Sequence, residues 1–245
     1  MSAIPAATLV LFRDSEAGPE HLFVERAASM AFAGGAIVFP GGRVDAGDRT
    51  LGALRPDLDP DDSAARVAAI RETIEEAGLA IGVVGALDLP ATRAALAGGA
   101  SLGALLAAAG ARLDLDALVP FARWCPAPRE QARTFDTHFY LARAIAGDMA
   151  EVDRTENVRL FWATAADVLA QADAGTIRMI FPTRRNLERL ALSANFVDAC
   201  ADAAAHPLDR VVPWVEERAD GPQLCIPTHL GYPITAVPLA LALRG

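Results

Sequence analysis

The chain has 245 residues and a formal net charge of −9, and 53% of its residues are hydrophobic. This length fits one large domain, and the hydrophobic content is enough for a sizeable core, which argues against global disorder. The negative charge argues against a nucleic-acid backbone as the main partner, although a local arginine pocket can still bind a small phosphorylated ligand.

The basic residues limit the kinds of anion site that the chain can form, and the cysteines indicate its cellular compartment. All 22 basic side chains are arginines, so any anion site must use guanidinium groups or backbone amides. The three cysteines (Cys125, Cys200 and Cys225) are too far apart for a zinc motif and odd in number, which fits a reducing cytosol. We expect no signal peptide and no membrane span. The arginine-only composition and a C-terminus that is not a peroxisomal tripeptide favour a bacterial, cytoplasmic protein.

The first third of the chain predicts a hairpin, a short strand and a helix. Residues 7–13 and 21–26 form the predicted hairpin, and residues 36–39 form a strand that runs into Gly41-Gly42. Two glycines at this point let the backbone approach a ligand closely. Residues 43–60 are predicted as a polar loop, and residues 64–77 as a helix that Gly78 terminates.

The remainder predicts an α+β core with two additions, all within a single domain. Residues 79–87, 119–126, 135–144 and 158–162 are predicted as strands, and residues 165–174 and 182–205 as helices. Residues 88–118 are rich in alanine, leucine and glycine, and we expect two or three short helices there, as an insertion. An extension from about residue 182 to 245 contains the second helix and a proline-rich tail, predicted as a hairpin or an extended wrap.

Three carboxylates crowd the end of the helix at residues 64–77. Because each helical residue advances about 100°, Glu76 lies about 40° from Glu72 and Glu75 about 60° from it on the other side, so all three share one face. Like charges at this spacing destabilise a helix by roughly 0.2–0.5 kcal/mol. A hard divalent cation such as Mg²⁺ would reverse that effect, since it prefers oxygen ligands. We therefore interpret this face as a metal cradle.

These residues together resemble the Nudix box. The box reads glycine, five residues, glutamate, seven residues, then R-E-U-x-E-E-x-G-U, where U is apolar. Here Gly42 precedes Asp48 by that spacing, and Arg71 opens R-E-T-I-E-E-A-G-L. Three departures are that Thr73 occupies the first apolar position, that Asp48 replaces the glutamate, and that 22 residues, instead of seven, separate Asp48 from Arg71. The resemblance implies the Nudix α/β/α sandwich, with a mixed sheet, a helical insertion and a C-terminal helical extension.

The interrupted box is similar to the subgroup that includes animal peroxisomal coenzyme A diphosphatases and their bacterial relatives. Arg123-Trp124-Cys125-Pro126 and the segment R-T-F-D-T-H-F-Y, which begins at Arg133, also resemble that subgroup. The resemblance implies a diphosphatase acting on coenzyme A or acyl-CoA. A pyrophosphatase for ADP-ribose or a nucleotide sugar is the alternative enzyme, and a non-catalytic nucleotide-binding regulator is the alternative of another class.

The resemblance also implies roles for individual residues. Mg²⁺ or Mn²⁺ would be held by Glu72, Glu75, Glu76 and the carbonyl of Gly41. Arg71 would hold Glu72 or the loop acid in place, and Asp48 would support the site from behind the metal ligands. Glu151 and Glu156 both precede the strand at residues 158–162, and of the two Glu156 is our candidate for the general base. Arg43, Arg133 and Asp136 are candidates for substrate binding, although Arg133 and Asp136 could equally form a simple structural pair. The expected partner is a small nucleotide, without nucleic acid or membrane, and a homodimer stays open.

Overall fold

A computed structural model describes residues 3–30, 33–126, 134–144, 150–151 and 156–242 of the chain. The strands of the described residues are β1 (Ile4–Arg13), β2 (Glu20–Arg26), β3 (Ala36–Val38), β4 (Gly41–Arg43), β5 (Val83–Val84), β6 (Arg112–Leu113), β7 (Val119–Trp124), β8 (Phe135–Arg143), β9 (Asn157–Thr164), β10 (Arg178–Met179), β11 (Arg210–Val211), β12 (Trp214–Arg218), β13 (Gly221–Cys225) and β14 (Ala236–Pro238). The helices are α1 (Ala46–Gly52), α2 (Pro60–Ala77), α3 (Leu89–Ala97), α4 (Leu102–Ala109), α5 (Ala165–Asp173), α6 (Phe181–Leu190), α7 (Phe196–Ala205), α8 (Leu239–Ala242) and a 3₁₀ turn at Leu115–Ala117.

A mixed sheet of nine strands forms the centre of the described part of the chain. Its strand order is β10-β3-β2-β1-β8-β7-β11, with β4 also paired to β1 and β9 to β2. Strand β1 runs parallel to β8 and antiparallel to β2 and β4. Because β4 is the diglycine strand, this pairing fixes the diglycine beside the middle of the sheet, next to β1.

Helices cover both faces of this sheet. In β1, Leu9 and Leu11 point into the core shared with α2, α3 and α4, whereas Val10 and Phe12 point into the core shared with α5, α6 and α7. This alternation is the pattern of a strand buried on both sides. The predicted α+β sandwich with a mixed sheet is therefore confirmed.

Two predicted elements between β4 and β6 are wrong. The segment predicted as a polar loop contains α1, whose first turn Asp48 stabilises by accepting a hydrogen bond from the Asp45 amide at 2.8 Å. The strand predicted at residues 79–87 is reduced to the two residues of β5. Gly82 and Gly85 have φ angles of 73° and 112°, which break an extended run, and buried Leu79 and Ile81 fill the core beside α2 instead.

The C-terminal region also differs from its prediction. The single helix predicted at residues 182–205 is two helices, because α6 ends at Leu190 and Asn195 caps the start of α7 by accepting from the Asp198 amide at 3.0 Å. The tail forms the expected hairpin from β12 and β13, and β14 adds a third strand. The extension is therefore only partly helical. Among the described residues, no helix is both long enough and apolar enough to cross a membrane.

His21 on β2 is a buried ionisable group. Its ring is fully buried, lies 4.4 Å from the ring of Phe12, and its Nδ1 is 3.2 Å from the carbonyl oxygen of Leu11. Burial lowers the pKa of His21 to about 4, and the hydrogen bond to Leu11 opposes that shift only in part. The folded protein therefore holds this side chain neutral.

We expect the protein to lose stability as the pH falls from about 6.5 to 4 because of His21. The unfolded chain binds a proton in this range and the folded chain does not, so protonation favours unfolding. The gap between a pKa of 6.5 and about 4 corresponds to about 3 kcal/mol, of which about 2 kcal/mol is lost by pH 5. Urea unfolding of wild type and His21→Leu at pH 7 and pH 5 measures this. The free energy of unfolding of wild type relative to His21→Leu should fall by about 2 kcal/mol between pH 7 and pH 5, whereas His229→Gln, at an exposed histidine, should behave as wild type.

Candidate active site

Helix α2 carries the acidic cluster, and both of its ends are defined by the sequence. Asp59 caps the start by accepting from the amides of Asp61 and Asp62, and Pro60 occupies the first helical position. Gly78 ends the helix in the left-handed region with a φ of 67°. The helix is 18 residues long, about one turn longer than predicted, because it begins at Pro60 and not at residue 64.

Arg71 is the centre of the polar network on α2. Its Nε and Nη2 bind both oxygens of Asp48 at 3.0 and 2.9 Å, and its Nη1 donates to Glu72 at 2.9 Å and to Glu75 at 3.1 Å. A further bond at 2.9 Å joins Nη2 to the carbonyl oxygen of Arg43. Burial opposes the charged form of Arg71, but the three carboxylates outweigh it and raise its pKa. One guanidinium therefore organises both halves of the interrupted box.

The extra residues of the box are folded, and they do not separate its two halves. They form α1, the turn after it and the first turns of α2. A Cβ on Gly52 would lie 2.8 Å from the Ala64 amide nitrogen, so α1 packs tightly against α2 at this glycine. Asp48, on the first turn of α1, is only 2% exposed and points at Arg71. The extra residues of the box therefore fold so that the Asp48 carboxylate binds Arg71 on α2.

The diglycine contacts the same helix. The amide of Gly41 donates to Oε2 of Glu76 at 2.9 Å. A Cβ on Gly42 would overlap the carboxylate of Glu72, and a Cβ on Gly41 would collide with the backbone of β1 at Ala7 and Thr8. Backbone contact with β1 therefore requires glycine at position 41, whereas a side chain at position 42 would displace the Glu72 carboxylate.

Glu76 is buried, and both of its carboxylate oxygens accept hydrogen bonds. Its Oε1 accepts from Nδ2 of Asn157 at 3.0 Å and lies 3.6 Å from Nη1 of Arg26. Nη2 of Arg26 is in turn 3.2 Å from Oε2 of the exposed Glu156. Glu156, predicted as a general base, is thus linked to the acidic cluster through one arginine. Arg26 and Asn157 were not predicted as site residues. The position of Asn157, directly after Glu156, was the only feature of the sequence that indicated either of them.

A divalent cation fits the chemistry of this cluster. Burial raises the pKa of Glu72 to about 8, and the charges of Glu76 and Glu75 add to the shift, while Arg71 opposes it. A carboxyl in this position needs additional positive charge to ionise at neutral pH, and oxygen-only donors suit Mg²⁺ or Mn²⁺. Across the described residues, no three His, Cys, Asp or Glu side chains converge as a ready-made metal site. Nη1 of Arg71 lies between Glu72 and Glu75 and binds one oxygen of each.

Helix α3, in the insertion at residues 88–118, supports the end of α2. Nε and Nη2 of Arg93 on α3 donate to the carbonyl oxygen of Glu75 at 3.1 and 2.9 Å. The last carbonyls of a helix have no partner within the helix, so this pair of bonds satisfies one of them. The amide of Glu151 does the same for the carbonyl of Ala77 at 2.9 Å. Arg93 was not singled out in the sequence, because nothing local marks it.

The predicted substrate-binding residues lie in different places. Arg43 ends the diglycine strand, and it is exposed to solvent beside the box. Asp136 lies on β8 in a separate cavity, where its carboxylate binds Arg123 and Arg210. Arg133 falls outside the described residues. The structure thus joins the residues of the box and Glu156 in one network, and it does not bring Asp136 into that network.

Known proteins were compared with the chain at three levels. No family model matches it, and no curated protein does either. Among solved structures, the NUDIX domain of Shewanella oneidensis NrtR, complexed with ADP ribose, is 14% identical over 79% of this chain and 90% of its own, with a TM-score of 0.47. A NUDIX hydrolase from Nitrosomonas europaea is 12% identical over 80% and 93%, with a TM-score of 0.46. These two likenesses carry no argument about this chain.

A NUDIX hydrolase from Alicyclobacillus acidocaldarius is much more similar. It is 31% identical, the match covers 82% of this chain and 96% of that one, and the TM-score is 0.74. The match therefore includes nearly the whole of that hydrolase. With this likeness and the two halves of the box joined at Arg71, the chain belongs to the Nudix hydrolase family and is an enzyme of that family.

Proposed function

We propose that this hydrolase cleaves the diphosphate linkage of coenzyme A or acyl-CoA with the help of a divalent metal. The observation that supports a diphosphatase is that the diglycine, Asp48 and the acidic end of α2 lie together. They do so although the box contains 15 residues more than its common spacing. The choice of coenzyme A rests on the interrupted box and on the two segments that begin at Arg123 and Arg133. The free cysteines agree with our proposal of a cytosolic location.

In this proposal Glu72, Glu75, Glu76 and the carbonyl of Gly41 hold Mg²⁺ or Mn²⁺. A cation bound there would neutralise the charge of the diphosphate and activate water. Arg71 acts as a positioning residue, since its bonds keep Glu72 and Glu75 oriented.

The remaining roles belong to residues around this centre. Glu156 is exposed, so water can reach its carboxylate, which would accept the proton of the nucleophile, while Arg26 holds it near Glu76. Arg43 offers an exposed guanidinium beside the box to the phosphates. We keep Arg133 and Asp136 as proposed contacts for parts of the substrate farther from the diphosphate.

A substrate panel tests the proposal. The purified protein is incubated with Mg²⁺ or Mn²⁺ and, in separate reactions, with coenzyme A, an acyl-CoA, ADP-ribose, NADH, a dinucleoside polyphosphate and 8-oxo-dGTP. We expect the highest kcat/KM for a coenzyme A species, the products 4′-phosphopantetheine and adenosine 3′,5′-bisphosphate, and no turnover in EDTA. Turnover of another compound without any turnover of a coenzyme A species would contradict the substrate assignment. No turnover at all would contradict the diphosphatase.

A further inference from the structure

A cavity with several charged side chains in its wall lies beside the active-site network, between the sheet and the start of α2. Its volume is about 440 Å³, within the size range of small-molecule sites. Residues from β1, β7, β8, β11, α1 and α2 line it. The charged side chains among these described residues are Arg49, Arg123, Arg210, Asp61 and Asp136. None of them has a role in the cleavage of the diphosphate.

The wall of this cavity carries more positive than negative charge. Asp136 is shared by two guanidiniums, since Arg123 binds both of its oxygens at 2.8 Å and Nη2 of Arg210 binds one at 2.9 Å. Arg49 pairs with Asp61 at 3.0 Å. Three guanidiniums therefore face two carboxylates, whereas the whole chain has a net charge of −9. A local surplus of this sign, in a concave site, attracts an anion.

The surplus guanidinium charge can reach a ligand. The side chain of Arg123 is held in place by its two bonds to Asp136, but the side chains of Arg210 and Arg49 are 55% and 46% exposed. Guanidiniums suit phosphate because their planar fork forms two parallel hydrogen bonds with its oxygens. The carboxylate of Asp136 fixes the two arginines on either side of it, so the binding groups are arranged before a ligand arrives.

The cavity adjoins the active-site network through α1 and the residue after the diglycine strand. Val44 and Arg49 line it, and between them in sequence lies Asp48, whose carboxylate binds Arg71. Asp48 and Arg49 are neighbours on one helical turn, with side chains about 100° apart. One points at the box arginine and the other into the cavity. A substrate whose diphosphate is at the box can therefore extend a second anionic group past α1.

We infer that this cavity binds a phosphate monoester of the substrate, separate from the diphosphate that is cleaved. With the proposed substrate, on which this identification rests, the group is the 3′-phosphate of the adenosine half of coenzyme A. The three arginines then act as specificity determinants that favour a 3′-phosphorylated nucleotide over its dephospho counterpart. A free inorganic phosphate offers the same chemistry, so the test separates these two sources.

Calorimetric titration tests the site without any turnover. Wild type, Arg210→Gln and Arg49→Gln are titrated with adenosine 3′,5′-bisphosphate, 5′-AMP and inorganic phosphate, all with Mg²⁺. The control is Arg218→Gln, which removes an arginine of similar exposure that pairs with Glu216 on the remote β12. We expect the bisphosphate to bind wild type about tenfold more tightly than 5′-AMP, and each cavity variant to lose most of that advantage. The control should keep it.

Several results would overturn the inference. Equal binding of the bisphosphate and 5′-AMP would do so, as would an equal loss in Arg210→Gln and in the control. Inorganic phosphate that binds as tightly as the bisphosphate would show a site for free phosphate and not for the substrate. A turnover assay adds a second measurement: the ratio of kcat/KM for coenzyme A to that for 3′-dephospho-coenzyme A should fall about tenfold in Arg210→Gln and Arg49→Gln and stay at the wild-type value in Arg218→Gln.

The inference and the proposed function can fail separately. If no coenzyme A species is cleaved while the bisphosphate still binds through Arg210, the proposed substrate is wrong and the phosphate site stands. If coenzyme A is cleaved but the 3′-phosphate gives no advantage in binding or turnover, the proposed function stands and the phosphate site is wrong.

Discussion

Glu75→Gln and Glu76→Gln should each lower kcat by about 100-fold or more, while the protein still folds. Each change keeps the shape of the side chain and removes a negative charge from a group of three carboxylates that we propose to hold a cation. The two glutamates differ in their surroundings, because Glu75 is partly exposed and binds Arg71, whereas Glu76 is buried and binds the Gly41 amide. A similar loss in both variants would therefore indicate a shared ligand, and not a shared structural role.

The measurement combines turnover with metal binding. Steady-state rates on the best substrate of the panel are taken at saturating Mg²⁺, and thermal unfolding is followed with and without the metal. Bound metal stabilises the folded protein by mass action, so the increase in Tm with Mg²⁺ should be present in wild type and absent or much smaller in the two variants. Glu151→Gln is the matched control, since that glutamate is close to α2 but 77% exposed. If both variants keep wild-type rates, the metal-cradle hypothesis is wrong.

Short-range patterns predicted most of the core of this fold. Strands β1 and β8 and the end of α2 at Gly78 were predicted from neighbours within a few residues, and the structure contains these elements. The wrong predictions of secondary structure fall where a local sequence pattern is compatible with two structures. Residues 79–87 have the apolar content of a strand, yet they cross the end of α2 and bury Leu79 and Ile81 without a strand partner over most of their length. Nothing local distinguishes these two outcomes.

The candidate site, like the fold, has some features that the local sequence predicts and others that it does not. The carboxylates on α2 follow from helical spacing alone, so the sequence was enough to bring Glu72, Glu75 and Glu76 to one face. The groups that hold them come from distant segments: Arg26 from the end of β2, Asn157 from the start of β9, and Arg93 from α3. An arginine or asparagine at such a position has no distinctive pattern, and only the packing of the sheet against α2 makes it a neighbour of the box.

Arg71→Gln should destabilise the protein by about 3–5 kcal/mol, the largest effect on stability that we expect from one substitution in the site. The guanidinium binds both oxygens of Asp48, which is 2% exposed, and also neutralises Glu72 and Glu75. Without it, Asp48 is a buried carboxylate with no cationic partner, and such a group is costly because it has lost its water. Urea unfolding at neutral pH in EDTA measures the loss in the metal-free protein.

A double-mutant cycle with Asp48→Asn separates this pair from the rest of the network. Asp48→Asn alone leaves Arg71 its bonds to Glu72, Glu75 and the Arg43 carbonyl, so it should cost less than Arg71→Gln. Combined with Arg71→Gln it removes the stranded charge, and the double variant should therefore be more stable than the sum of the two single losses implies, by about 1–3 kcal/mol. Arg55→Gln, which breaks only exposed pairs, should have far less effect than Arg71→Gln. If the two losses of stability are additive, packing of α1 on α2 holds Asp48 beside the helix. The bonds between Arg71 and Asp48 would then only reflect that the two side chains lie close together.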